Sequence, residues 1–140
     1  MNKKGPIIII EDDSDDRELM EEIYKDLGFE NELIFCTDGE KALDYLIKTP
    51  IEPFIILSDI NMPKLNGMEL REQVHNNEDL RVKCIPYLFF STSVSQNAVI
   101  DAYSLSVQGF FKKEHSIVEL EKTIHVIMEY WKRCAAPNNF

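Results

Sequence analysis

Short, unbroken apolar runs alternate five times with longer segments whose apolar residues recur every three or four positions. The runs fall at residues 7–10, 33–36, 54–57, 87–90 and 107–111 and are rich in Ile, Leu and Phe. Runs of this length and continuity fit strands buried on both faces, as in a parallel sheet. The segments between them read as helices. Residues 15–27 carry Leu19, Met20, Ile23 and Leu27 at helical spacing, with Gly28 placed to end the helix. Residues 38–47 carry Ala42, Leu43, Leu46 and Ile47, and residues 66–76 carry Met68, Leu70 and Val74 less regularly. Residues 96–105 carry Val99, Ile100 and Tyr103. The pattern is strongest over 116–131, with Leu120, Ile124, Ile127, Met128 and Trp131. A Ser116-Ile-Val-Glu119 sequence there has the form of a capping box.

This order predicts an α/β fold, a doubly wound five-stranded parallel sheet with helices on both faces. At 140 residues the chain fits one domain spanning 1–140, with a core over about 6–131 and a frayed tail over 135–140. Charge narrows the function. A formal net charge of −10 speaks against a nucleic-acid partner, which needs a basic face. Cys36, Cys84 and Cys134 are irregularly spaced and form no disulfide or zinc pattern. Four isoleucines after two lysines are too short a stretch for a signal peptide, and no run approaches the ~20 apolar residues of a membrane span. The expected location is cytoplasmic, with no membrane partner.

An open parallel sheet places its chemistry beyond the carboxyl ends of its strands. After the first run come Glu11, Asp12 and Asp13; after the third, Ser58, Asp59, Ile60, Asn61, Met62 and Pro63. Ser91, Thr92 and Ser93 follow the fourth run, and Lys112 and Lys113 the fifth. Two carboxylates about 4 Å apart at an effective dielectric near 20 repel by about 4 kcal/mol. The cluster therefore needs a counter-charge, which a hard divalent cation on oxygen ligands supplies. The competing reading is that the acids at 11–13 only cap the first helix. His75, His115 and His125 sit where no transfer chemistry is expected.

Glu11-Asp12, the Asp59-Ile-Asn61-Met-Pro63 segment with Gly67 four residues on, Ser91 and Lys113, in this order, resemble the receiver domain of two-component response regulators. The likeness covers about residues 6–131. It implies a flavodoxin-like (βα)5 receiver whose phosphoacceptor is Asp59. Magnesium would be held by Glu11, Asp12, Asp59 and the backbone carbonyl of Asn61. Ser91 and Lys113 would contact the phosphoryl group, and Ser91 and Phe110 would form the switch. Such a protein is a phosphoacceptor with slow self-dephosphorylation, not an enzyme on a separate substrate. The resemblance is to the stand-alone kind associated with phytochromes, which implies a sensor histidine kinase, phytochrome-like or hybrid, as partner. It further suggests a homodimer through the last helices and fifth strand, with Tyr130 and Trp131 as candidate contacts.

One departure concerns Glu114, which stands where the family usually has proline after the lysine. A cis bond before a non-proline residue costs about 2.5–4 kcal/mol, so a trans or strained loop is expected. Lys112 and Lys113 point to opposite sides of a strand, and Lys113 is the expected site residue. A pseudo-receiver that binds without phosphorylation is the alternative reading, favoured by Glu114 and opposed by Asp59 with its acid pair.

Overall fold

The computed structural model describes residues 1–92 and 94–137. Five parallel strands, β1 (Ile7–Ile10), β2 (Leu33–Cys36), β3 (Ile55–Ser58), β4 (Tyr87–Ser91) and β5 (Gly109–Lys112), form one sheet in the order β2-β1-β3-β4-β5. Around it lie α1 (Ser14–Leu27), α2 (Gly39–Lys48), α3 (Gly67–Asn76), α4 (Glu78–Arg81), α5 (Gln96–Ser104) and α6 (Ile117–Arg133). The chain leaves β1 toward β2 on one side and returns to β3 on the other. The strand order therefore reverses beside β1, where this topology opens a crevice.

The period of two along each strand sorts the core into two halves. Ile7, Ile9, Ile55, Leu57, Leu88 and Phe90 face α1 and α6, meeting Met20, Ile23, Tyr24, Leu120, Ile124, Ile127 and Met128. Ile8, Ile10, Ile56, Tyr87 and Phe89 face the other helices, meeting Ala42, Leu46, Leu70, Val74, Leu80 and Ala102. The three central strands β1, β3 and β4 are wholly buried, which is why their runs read as continuous rather than alternating, whereas the edge strands β2 and β5 are partly exposed.

The helix ends follow their sequence signals with one exception. Asp13 caps α1 by accepting from the amides of Asp15 and Asp16, and Gly28 ends it in the left-handed conformation at φ 74°. At Ser116 the hydroxyl accepts from the Glu119 amide, but the reciprocal Glu119 contact is not made and that carboxylate pairs with Lys122 instead. The complete capping box is at Asn66 and Glu69, opening α3. Three further expectations are corrected. The single-turn α4 was too short to show periodicity. β5 starts at Gly109 rather than at Val107, which is buried ahead of the strand. The tail is not frayed at 135–137: Ala136 is 3% exposed and belongs to the α1–α6 core. Residues 138–140 lie outside the described residues. No helix among the described residues is long and apolar enough to cross a membrane.

Candidate functional site

Parallel pairing sets the ends of β1 and β3 side by side. Ile10 is in register with Ser58, and the Asp59 amide donates to the Ile10 carbonyl at 3.0 Å. The residues that follow each strand therefore emerge together. Glu11, Asp12 and Asp59 each offer a carboxylate oxygen, all within 4.8 Å of one another. Asp13 is turned away to cap α1, so only part of the acidic run serves the helix.

Glu11 is nearly enclosed, 5% exposed. Its Oε1 accepts from the Asp13 amide at 3.1 Å, and Arg17 Nη1 donates to its carbonyl at 2.9 Å. Lys113 reaches this group from the end of β5, with Nζ 2.5 Å from Glu11 Oε2, 3.2 Å from Asp16 Oδ2 and 4.0 Å from Asp59 Oδ2. Burial pushes the Glu11 carboxyl above its ordinary range, with the Lys113 ammonium pulling back against that shift. Burial alone would lower Lys113, yet Glu11, Asp59 and Asp16 together carry it above its ordinary value. Three carboxylates lie within 4.0 Å of one ammonium, and Asp12 adds a fourth negative charge beside Glu11 and Asp59. A hard cation on oxygen donors would relieve that imbalance, and the three-carboxylate set suits one.

The loop after β3 is fitted tightly to α3. Asp59 Oδ1 accepts from the Ile60 amide at 2.7 Å, and the Gly67 amide donates to the Ile60 carbonyl at 2.8 Å. A Cβ on Gly67 would lie 2.2 Å from the Asp59 carbonyl oxygen, so a side chain there would force α3 away. Ser58 Oγ donates to the same carbonyl at 2.8 Å. The Tyr87 hydroxyl closes the underside by donating to the Gly67 carbonyl at 3.2 Å.

The remaining expected residues are distributed as follows. Asn61 is exposed in the loop two residues after Asp59. Ser91 is fully buried at the end of β4, and its carbonyl accepts from the Lys113 amide at 2.8 Å. That bond places Lys113 beside the β4 terminus. Phe110 is half-buried, its ring 5.8 Å from that of Phe89. Lys112 points outward and is exposed. Glu114 follows through a trans peptide bond, and Lys113 is nevertheless aimed at the acids. A cavity of about 220 Å³ extends inward from the group, bordered by Asp16, Asp59, Lys113, Glu114 and His115 and floored by Met20, Phe90 and Leu120.

Two residues were missed from the sequence. Asp16 shares Lys113, yet reads as an ordinary acid in a helix first turn. Arg71 is 5% exposed on α3, with Nε donating to the Leu105 carbonyl at 2.9 Å and Nη2 to the Ser106 carbonyl at 2.8 Å. Its guanidinium lies 5.4 Å from the Tyr87 ring centroid. Nothing in local periodicity marks either role.

The chain resembles known proteins along most of its length. Residues 7–125 match the family model of the response regulator receiver domain. Response regulator Rcp1 of Synechocystis sp. is 32% identical over 135 residues, covering 93% of this chain and 90% of Rcp1. Chemotaxis protein CheY-3 of Vibrio cholerae is 29% identical over 92% of this chain and 95% of its own length. Among solved structures, the phosphorylated cyanobacterial phytochrome response regulator RcpA has a TM-score of 0.86 at 26% identity, covering 96% and 98% of the two chains. The Mn2+-bound form of Rcp1 has a TM-score of 0.82 at 31% identity, covering 96% and 99%. The parallel sheet, the acids at its crevice and these end-to-end likenesses agree: the chain belongs to the response regulator receiver family of two-component signalling, and resembles its phytochrome-associated members.

Proposed function

We propose that this receiver accepts a phosphoryl group on Asp59 from a sensor histidine kinase, in a magnesium-dependent reaction, and signals by changing its own surface. The observation that carries the reading is the convergence of Glu11, Asp12 and Asp59 within 4.8 Å, with Lys113 reaching over them from β5. Mn2+ is bound in the related Rcp1 structure, which favours a divalent cation here. Glu11, Asp12, Asp59 and the Asn61 carbonyl would hold magnesium. When bound, magnesium supplies positive charge to the phosphoryl oxygens and keeps the acceptor ionised.

The chain's own residues do the rest. Asp59 is held by its backbone amide and by Ile60, so one carboxylate oxygen stays committed while the other is available as nucleophile. Its attack forms a phosphorus–oxygen bond as the bond from phosphorus to the donor histidine nitrogen breaks; that nitrogen leaves with the electron pair. Lys113 neutralises charge on the equatorial oxygens of a loose transition state, where positioning and electrostatics provide most of the catalysis. Ser91 would donate to a phosphoryl oxygen, and Phe110 would move further inward against Phe89. The phytochrome-associated relatives favour a phytochrome-like or hybrid kinase as donor. Self-association through α5, β5 and α6 is part of the same proposal.

Intact mass tests the reading directly. The protein is incubated with magnesium and acetyl phosphate, beside the Asp59→Asn variant. One labile phosphoryl adduct is expected on the parent chain, absent from the variant and absent without added metal. A parent chain that stays unmodified with every donor would point to constitutive binding instead. Sedimentation across a dilution series, with and without donor, tests self-association separately.

A further inference from the structure

The ammonium of Lys113 has three protons to give. Glu11 and Asp16 take the two short contacts, at 2.5 and 3.2 Å, while Asp59 stands at 4.0 Å, beyond a hydrogen bond. The lysine thus faces the first strand and helix more closely than it faces the acceptor. Its two holders differ in kind. Glu11 belongs to the carboxylate trio that suits a cation, so its charge can be shared with one. Asp16 is outside that trio. It lies in the first turn of α1, fixed through its amide to the Asp13 cap at 3.0 Å, and its side chain is 39% exposed against 12% for Lys113. Its ion pair with Lys113 thus stands outside whatever charge sharing occurs among the three acids.

From this we propose that Asp16 is a positioning residue that tethers Lys113 in the resting state and so sets how readily the lysine is captured by a phosphoryl group. The inference rests on Asp59 being the phosphoacceptor and concerns the regulation of that same site. A phosphoryl group on Asp59 draws Lys113 across the 4.0 Å gap, and the 3.2 Å contact to Asp16 is the one stretched. Glu11 can follow the shift by turning to the cation; Asp16 cannot. The tether lowers occupancy of the lysine–phosphoryl contact and makes the phosphorylated form easier to discharge. It also withholds the lysine from anions that reach the crevice without being transferred to Asp59.

The test uses magnesium and beryllofluoride, a stable acyl-phosphate mimic, with the full chain and the isosteric variant Asp16→Asn. Apparent beryllofluoride affinity is followed by NMR at saturating magnesium. It is expected to rise about two- to fivefold, the range of a partly exposed ion pair. Magnesium affinity, measured by calorimetry without beryllofluoride, is expected to stay the same or weaken. The comparison variant Asp15→Asn removes an equal charge from the same turn without touching Lys113, and is expected to change little. An unchanged or weaker beryllofluoride affinity in Asp16→Asn overturns the tether. So does a gain matched by Asp15→Asn, which would be general charge, or one explained by tighter magnesium binding. Failure of the parent chain to bind beryllofluoride, or retained binding in Asp59→Asn, sinks the acceptor reading and the tether with it. That result is distinguishable, because it appears before any Asp16 variant is compared.

Discussion

The two faces of the sheet are built to different standards. On one, the two longest helices, α1 and α6, close over a core of aliphatic and aromatic side chains. The hydroxyl of Tyr24 within it is satisfied by Met128 Sδ at 3.6 Å. On the other, four shorter helices cover the strands, and the interior includes the Arg71 guanidinium, the Tyr87 hydroxyl and Ser58. Phe110 lies half-buried at its edge, and Ile100 and Tyr103 of α5 are exposed. Apolar packing gains free energy smoothly with area, whereas a buried polar group is costly once a partner moves. The first face therefore acts as a support. The second has discrete bonds that can be made or broken, which is what a two-state element needs.

The largest expected effect lies in the support. Ile124 is fully buried between α6 and the sheet, and Ile124→Ala should cost about 2–5 kcal/mol in urea unfolding. The folded fraction should still take up one phosphoryl group, since no site residue is touched. Loss of uptake in the folded fraction would end the division of labour between the faces.

Arg71→Met should come next. It keeps much of the aliphatic stem but leaves the Leu105 carbonyl without its donor and the Ser106 carbonyl with Gln108 Nε2 alone, for about 1–3 kcal/mol. Those carbonyls precede β5, so the variant should also alter the amide shifts that beryllofluoride induces around Phe110. If only stability changed, Arg71 would be a clamp with no part in switching.

A smaller effect is expected at the edge. Phe110→Leu should destabilise by about 1 kcal/mol or less, since the ring is only half-buried. The gain of order around Phe89 on beryllofluoride binding should shrink with it, as read by NMR. An undiminished response would remove Phe110 from the switch.

The smallest concerns pH. Burial, helped by Asp38, raises the Cys36 thiol from an ordinary 9.0 to about 11. The unfolded chain then releases this proton first, so the folded state holds more protons between those values and stability falls as pH rises from 9.0 to about 11. Cys36→Ala should flatten that part of the urea-midpoint profile, whatever it does to the absolute midpoint. A parallel profile would show that the thiol does not contribute.

The sequence made the central strands legible because burial on both faces writes itself as an unbroken run: β1 falls where its run falls, as edge strand β2 also does, β3 shifts by a residue, and β4 extends by one to Ser91. It made Glu11, Asp12, Asp59 and Lys113 legible because strand ends must converge in this topology. Arg71 stayed hidden since its partners lie 34 and 35 residues away and are backbone carbonyls, which any sequence supplies. Asp16 was hidden by its company, among acids that also suit a helix start. Buried Ala136 lacked a signal for a similar reason: a small residue after a helix looks the same docked or free.

The closeness of Gly67 to the Asp59 carbonyl also bears on how such a protein can diversify. With 2.2 Å left for a first side-chain atom, no neighbouring amino acid in mutational space is a small step at that position. Changes of partner or timing must then accumulate elsewhere, on the helix surfaces and in the turns around the crevice. The Asp59 turn and the start of α3 are thus sterically one unit, in which neither can be altered without displacing the other.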